Sequence, residues 1–351
     1  MKILLTLIMI SNIAYSLPLR KGERIRVPIK GEFIVKTWNI KNDVQHKVLR
    51  TVGKNLYLIK TNNEKNLLST YKKVYQNYEY IGDFKEVISP NMPNDTYVGK
   101  QVHHQIIKTF KAWNITKGSK EIIIAVTDNE FQIDHKDLEK SWWTNPDEIP
   151  GNGLDDDNNG YIDDVYGWDF IEQDNNVDSY SDPTHGTHVS GIIAAMPNNK
   201  FSGTGIAPKI KVMPLKWYGS EYRWTSATIA ETYNYAIDNG ANIISTSYAI
   251  DHLVDDELYR DVLRRAKAEG VLVINSAGNG NKKNPRRQLI KEIILVCSVT
   301  SSKGDQDVRS RFSNYGTGID ICAPGDPIFS TVQVKLGMQD RSAELSGTSM
   351  A

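Results

Sequence analysis

The chain of 351 residues has no excess charge of either sign: 42 Lys and Arg offset 42 Asp and Glu. A zero net charge gives no electrostatic case for nucleic acid or an anionic membrane surface as a partner. Cysteine is nearly missing. Cys297 and Cys322 stand alone, so no disulfide framework holds the fold. Each lies in an apolar, strand-like run, at 293–297 and 319–322; one bridge and two buried thiols both fit. Long hydrophobic runs are also lacking. The apolar stretch at 3–10 is too short to span a bilayer. With Lys2 before it and Ala14-Tyr15-Ser16 after it, residues 1–16 read as a secretory signal. That reading predicts a secreted or periplasmic protein, with no stable membrane span after signal cleavage. Hydrophobic residues still make up 40%, as in an ordinary folded chain, and the length suits two or three domains.

Residues 17–90 carry strand-like stretches at 33–35, 56–59 and 80–82 and a Lys-rich, helix-compatible stretch at 64–77. The pattern predicts a small α+β unit of the split βαβ type. A Pro- and Asn-rich linker at 89–95 places a domain boundary between residues 90 and 91. Beyond it, apolar strands are predicted at 121–126, 210–215, 242–244 and 271–274. Helices are predicted at 226–239 and 255–268, stopped by Gly240 and Gly270. Buried strands alternating with helices predict an α/β fold with a parallel sheet covered on both faces. Functional residues in such sheets gather at the strand C-terminal ends.

Four segments of 91–351 hold groups suited to chemistry. Asp128 follows the apolar run EIIIAV. His185 opens His185-Gly186-Thr187-His188-Val189-Ser190-Gly191. Asn279 closes Ser276-Ala277-Gly278-Asn279. Ser349 lies in Ser346-Gly347-Thr348-Ser349-Met350-Ala351. An acid, a base, a hydroxyl nucleophile and an amide donor are the parts needed for acyl transfer. A zinc half-site at His185 and His188 has no Cys or third-ligand pattern to complete it.

The order Asp, His, Asn, Ser and these strings resemble the subtilisin-like serine peptidases (peptidase S8). Phe312-Ser313-Asn314-Tyr315-Gly316 and Ala323-Pro324-Gly325 add to the match. The resemblance implies that Ser349 attacks the scissile carbonyl, His185 moves the proton and Asp128 orients the imidazole. Asn279 would donate to the oxyanion, and His188 would be a core residue. Residues 17–90 then resemble the family's propeptide, an intramolecular inhibitor of the cleft. Polypeptides are the implied substrates, and the chemistry needs no cofactor.

The sequence departs from the family pattern in three places. Asn129 and Glu130 follow Asp128, where Ser or Thr and then Gly are usual; Glu130 brings a negative charge. The strand expected to line the substrate cleft reads Ser247-Tyr248-Ala249 in place of Ser-Leu-Gly, so Tyr248 and Ala249 are expected to narrow the primary pocket and favour small side chains. The chain also ends two residues after Ser349, before the helix that the family carries there. On the resemblance, the chain as written is expected to be inactive or nearly so and poorly stable. The alternative is a truncated pseudoprotease that binds or inhibits through its propeptide or cleft.

One further segment stands out. Asp155, Asp157, Asn159 and Asp163 alternate oxygen-bearing side chains around Gly160. The spacing looks like the first part of a calcium loop. Tyr166 stands where a bidentate glutamate would close it, leaving Asp164, water or backbone oxygens to do so. The expectation is a structural calcium.

Overall fold

The computed structural model describes residues 25–36, 46–53, 56–61, 63, 74–81, 92–178, 185–218, 225–300, 308–332 and 342–351. The predicted signal at 1–16, the stretch 64–73 and the linker residues 89–91 lie outside them. The chain divides into two compact units, Met1–Ile88 and Ser89–Ala351.

The first unit holds four strands: β1 (Ile25–Lys36), β2 (His46–Gly53), β3 (Leu56–Thr61) and β4 (Val74–Ile81). They form one sheet in the order β2-β3-β1-β4, with antiparallel pairing throughout. Residues 74–77 of the predicted helix-compatible stretch thus belong to a strand. The residues from Val74 to Ile81 include Val74, Tyr75, Tyr78, Tyr80 and Ile81, and such β-branched and aromatic side chains favour the strand. Phe33 and Ile59 are buried against each other.

The second unit is built on a seven-stranded parallel sheet. Its strands are β5 (Ile123–Asp128), β6 (Trp168–Asp169), β7 (Lys211–Lys216), β8 (Ile243–Thr246), β9 (Leu272–Ser276), β10 (Ile293–Thr300) and β11 (Ile321–Asp326). The order is β11-β10-β9-β8-β5-β7-β6. Three longer helices accompany it: α1 (His185–Ala194), α2 (Ser226–Asp238) and α3 (Glu257–Glu269). Thr225 and Asp256 accept backbone N–H bonds as N-caps of α2 and α3, and Gly270 ends α3 at φ +83°, a conformation that suits glycine.

Successive strand residues point to opposite faces. Ala125, Met213, Ile244 and Val273 pack with the apolar sides of α2 and α3. Val126 and Val212 pack with Val189 and Ile192 of α1, and with Met350. β5 pairs with β7 on one side and β8 on the other. The chain reverses direction across the sheet there, which opens a crevice at the strand C-terminal ends. A ribbon of β12 (Ile328–Thr331) and β13 (Ser342–Leu345) packs over α1. Cys297 and Cys322 face each other across β10 and β11 and form a disulfide, which resolves the two readings left open above.

Candidate active site

Asp128 closes β5 and is buried. His185 opens α1, and its Nδ1 lies 2.8 and 2.9 Å from the two Asp128 carboxylate oxygens. An ionised carboxylate only accepts, so Nδ1 carries the proton and Nε2 is the free basic nitrogen. The Asn129 backbone N–H donates to the same carboxylate at 2.8 Å. Burial pulls the His185 imidazole down. The charge and hydrogen bonds of Asp128 outweigh that effect and hold it above the ordinary histidine value. The close approach requires Gly186: a Cβ there would stand 2.3 Å from the Glu130 carbonyl oxygen and 3.1 Å from Asp128 Cβ.

The rest of the His185-led string is structural. Thr187 Oγ1 accepts from the Gln132 N–H at 3.0 Å. His188 is fully buried, with Nε2 3.2 Å from the carbonyl oxygens of Ile328 and Ala343. Burial lowers its pKa to about 4, so it is a neutral core residue. A Cβ on Gly191 would meet Thr331 Oγ1 at 2.0 Å.

Asn279 follows β9. Its Oδ1 accepts the Thr348 N–H at 2.9 Å and the Thr348 hydroxyl at 2.8 Å. A backbone N–H only donates, so the amide orientation is set and Nδ2 points away from Thr348. A Cβ on Gly347 would lie 3.4 Å from that nitrogen. The Thr348 hydroxyl also accepts from the Gly278 N–H at 3.0 Å. Sequence reasoning gave Thr348 no role; its one signal was a hydroxyl directly before the candidate nucleophile. The Ser349 hydroxyl donates to the Ser247 carbonyl at 3.3 Å.

Tyr248 departs from expectation. Its ring packs on Trp217, centroids 4.0 Å apart, and its hydroxyl donates to Tyr233 at 3.0 Å. The side chain turns into the core, where a phenol needs a partner, and so does not narrow the cleft. Ala249 is exposed. Glu130 is half-buried, and its charge acts on the nearby Lys216. Burial works against the Lys216 ammonium, but its 2.6 Å bond to Asp169 and the charges of Asp169, Glu172 and Glu130 hold it above the ordinary lysine value.

The acidic loop regroups the predicted ligands. Asp155 accepts from the N–H groups of Asn159 and Gly160. Asp163 accepts from those of Gly151, Asn152 and Gly153. Both carboxylates thus close turns. The Asn159 side chain donates to Asp157 and Asp164. Of the four predicted residues, Asp157 alone joins the cluster that could hold a metal, with Glu148 and Asp164; one ligand oxygen from each lies within 4.8 Å of the others. Glu148 Oε2 is buried with no hydrogen-bond partner. Burial and the charges of Asp164 and Asp156 raise the Glu148 carboxyl, and burial raises that of Asp164 despite its hydrogen bonds.

Residues 119–351 match the model of the subtilase family. The chain is 33% identical over 261 residues to a thermophilic serine proteinase of Bacillus sp. (strain AK1), covering 74% of this chain and 56% of that protein. It is 31% identical to thermitase of Thermoactinomyces vulgaris, covering 74% and 81%. It is 28% identical to subtilisin-like protease 1 of Plasmodium berghei, covering 80% and 49%. The chain thus spans about half the length of two of these relatives. In fold it is similar to a protease from Pseudoalteromonas arctica, with TM-score 0.54 and 24% identity over 74% of this chain and 84% of that one. Among the described residues, no helix is long and apolar enough to cross a membrane.

Proposed function

The chain belongs to the subtilase family, and from that premise we propose that it is a secreted serine endopeptidase acting through Asp128, His185 and Ser349. The observation that carries the reading is the His185 imidazole, whose Nδ1 proton is held by both Asp128 oxygens and whose Nε2 is left as a base. Ser349 Oγ bonds to the scissile carbonyl carbon as its proton passes to His185 Nε2. The tetrahedral intermediate collapses, the C–N bond breaks, and His185 protonates the leaving amine. Water then enters by the same route and releases the acyl group. Before attack, the Ser349 hydroxyl turns from the Ser247 carbonyl toward His185.

Asn279 Nδ2 donates to the oxyanion. Loss of this amide lowers turnover about 10²–10³-fold, a magnitude measured within this same family. Ser247 and Tyr248 line the cleft with backbone, and Ala249 limits the primary pocket to small or slim side chains. Residues 17–90 act as the inhibitory propeptide after removal of the signal at 1–16.

Calcium fits the Glu148, Asp157 and Asp164 cluster: Glu148 Oε2 is buried without a hydrogen-bond partner, and the three carboxylates converge on one point. These three side chains would hold the ion, which would neutralise the loop and brace it.

The direct test is hydrolysis of a casein or peptide substrate by the protein. Activity abolished by Ser349→Ala and by His185→Ala is expected. Activity surviving Ser349→Ala would overturn the assignment.

A further inference from the structure

Arg287 sits in a single turn of 3-10 helix (Arg286–Leu289) after β9. It is 3% exposed, although a Pro-Arg-Arg run reads as surface in the sequence. β8 and β9 pair from Ile243↔Leu272 to Thr246↔Asn275. Beyond that register the two chains part, toward Ser247-Tyr248-Ala249 on one side and Ser276-Ala277-Gly278-Asn279 on the other. Parting leaves backbone carbonyls without ladder partners. Arg287 Nη1 fills the fork: it donates to the Tyr248 carbonyl at 3.2 Å, the Ser276 carbonyl at 2.6 Å and Asn275 Oδ1 at 3.2 Å. Asn275 Nδ2 in turn donates to the Tyr248 carbonyl at 3.2 Å.

The guanidinium is held from its other edge. Arg287 Nε and Nη2 donate to one Asp251 oxygen, and the Arg287 backbone N–H donates to the other at 3.0 Å. Asp251 lies three residues after Tyr248, so the salt bridge binds the same wall again. Burial pushes the Asp251 carboxyl up, but the Arg287 hydrogen bonds and charge carry it below the usual carboxylate range. No lysine reproduces this fork of donors.

We propose that Arg287 is a positioning residue that sets the width of the primary specificity pocket by bolting together the two strand ends that flank it. This role rests on the peptidase reading above. It acts on the pocket more than on the oxyanion site, because that site has anchors of its own. Asn279 is tied to Thr348, and Asn314 donates to the Ala277 carbonyl at 2.8 Å and accepts from the Gly280 and Lys282 N–H groups. Among the described residues, by contrast, the Tyr248 carbonyl accepts from Arg287 and from the Asn275 side chain that Arg287 itself orients.

The test compares wild type, Arg287→Lys and Arg287→Ala on peptides varied at P1 and on p-nitrophenyl acetate, whose acetyl group does not fill the pocket. In both variants, discrimination in kcat/KM between best and worst P1 is expected to fall about tenfold or more. Acetate ester turnover is expected to stay within about twofold. Added guanidinium is expected to restore part of the discrimination in Arg287→Ala, and Arg287→Lys carries the test if the alanine variant does not fold. Variants that keep the wild-type P1 profile, or that lose ester and peptide turnover in equal proportion, would overturn this role. A wild-type protein that cleaves neither substrate would instead overturn the peptidase reading, and this role with it.

Discussion

Asn279 Oδ1 takes both hydrogen bonds that Thr348 can donate, one from its backbone and one from its hydroxyl. The residue before the candidate nucleophile thus aims the candidate oxyanion donor, and Gly278 closes the loop through the same hydroxyl. Replacing Thr348 by Val preserves shape, removes two of these bonds and strands the Gly278 N–H. Turnover is expected to fall about tenfold with KM nearly unchanged, the mark of a bond that matters in the transition state. Thr348→Ser should restore most of it. Steady-state kinetics on one peptide decide this, and a rise in KM alone would contradict it.

His185 carries the pH dependence. Protonated at Nε2, it cannot take the Ser349 proton, so kcat/KM should rise with pH through its pKa. Asp128 holds that pKa above the ordinary histidine value, so the midpoint is expected above about 6.5. Asp128→Asn removes the charge. It should move the limb down and cut turnover about 10⁴-fold, as in the triad template. The sign for stability is set likewise: a raised pKa makes the pair stabilising below the unfolded value, and that contribution is lost as pH rises through the folded one. A limb at or below the ordinary value would contradict the pairing.

The Ala249 methyl group should limit the pocket. Ala249→Gly is expected to raise kcat/KM for large aromatic P1 residues about tenfold or more relative to Ala at P1, the usual worth of one methylene in such a pocket. A peptide library varied at P1 measures it. Wild-type preference for large aromatic residues would contradict the limit.

Chelation should destabilise the second unit. A ligand at 100 times its dissociation constant adds about 2.7 kcal/mol, so EGTA should lower Tm by roughly 5–10 °C for a unit of this size. Glu148→Gln should abolish most of the difference. Identical melts with calcium and with EGTA would remove the ion from the site.

Strands β5, β7, β8 and β9 and helices α2 and α3 were legible because their signals are local. The EIIIAV run, the helical spacing at 226–239 and the stop at Gly270 act within a few residues. The Asp128, His185, Asn279 and Ser349 strings were legible for the same reason. What escaped depends on partners distant in the chain. Tyr248 turns inward because Tyr233 offers its hydroxyl. Arg287 is buried because β8 and β9 part above it. Glu148 stands seven residues before the first predicted calcium ligand, while Asp155 and Asp163 bind backbone amides of their own loop. Spacing showed that the loop is rich in oxygen ligands, and only its folding decides which of them come together.

The central claim is that Ser349 is a nucleophile activated by His185. Its most direct measurement is labelling of the protein with a fluorophosphonate, with the adduct mapped by mass spectrometry. One adduct per chain is expected, on Ser349, lost in Ser349→Ala and strongly slowed in His185→Ala; that outcome would decide against the inactive chain expected from the resemblance alone. A folded protein that binds peptide yet takes no label, or takes it equally well without His185, would contradict it.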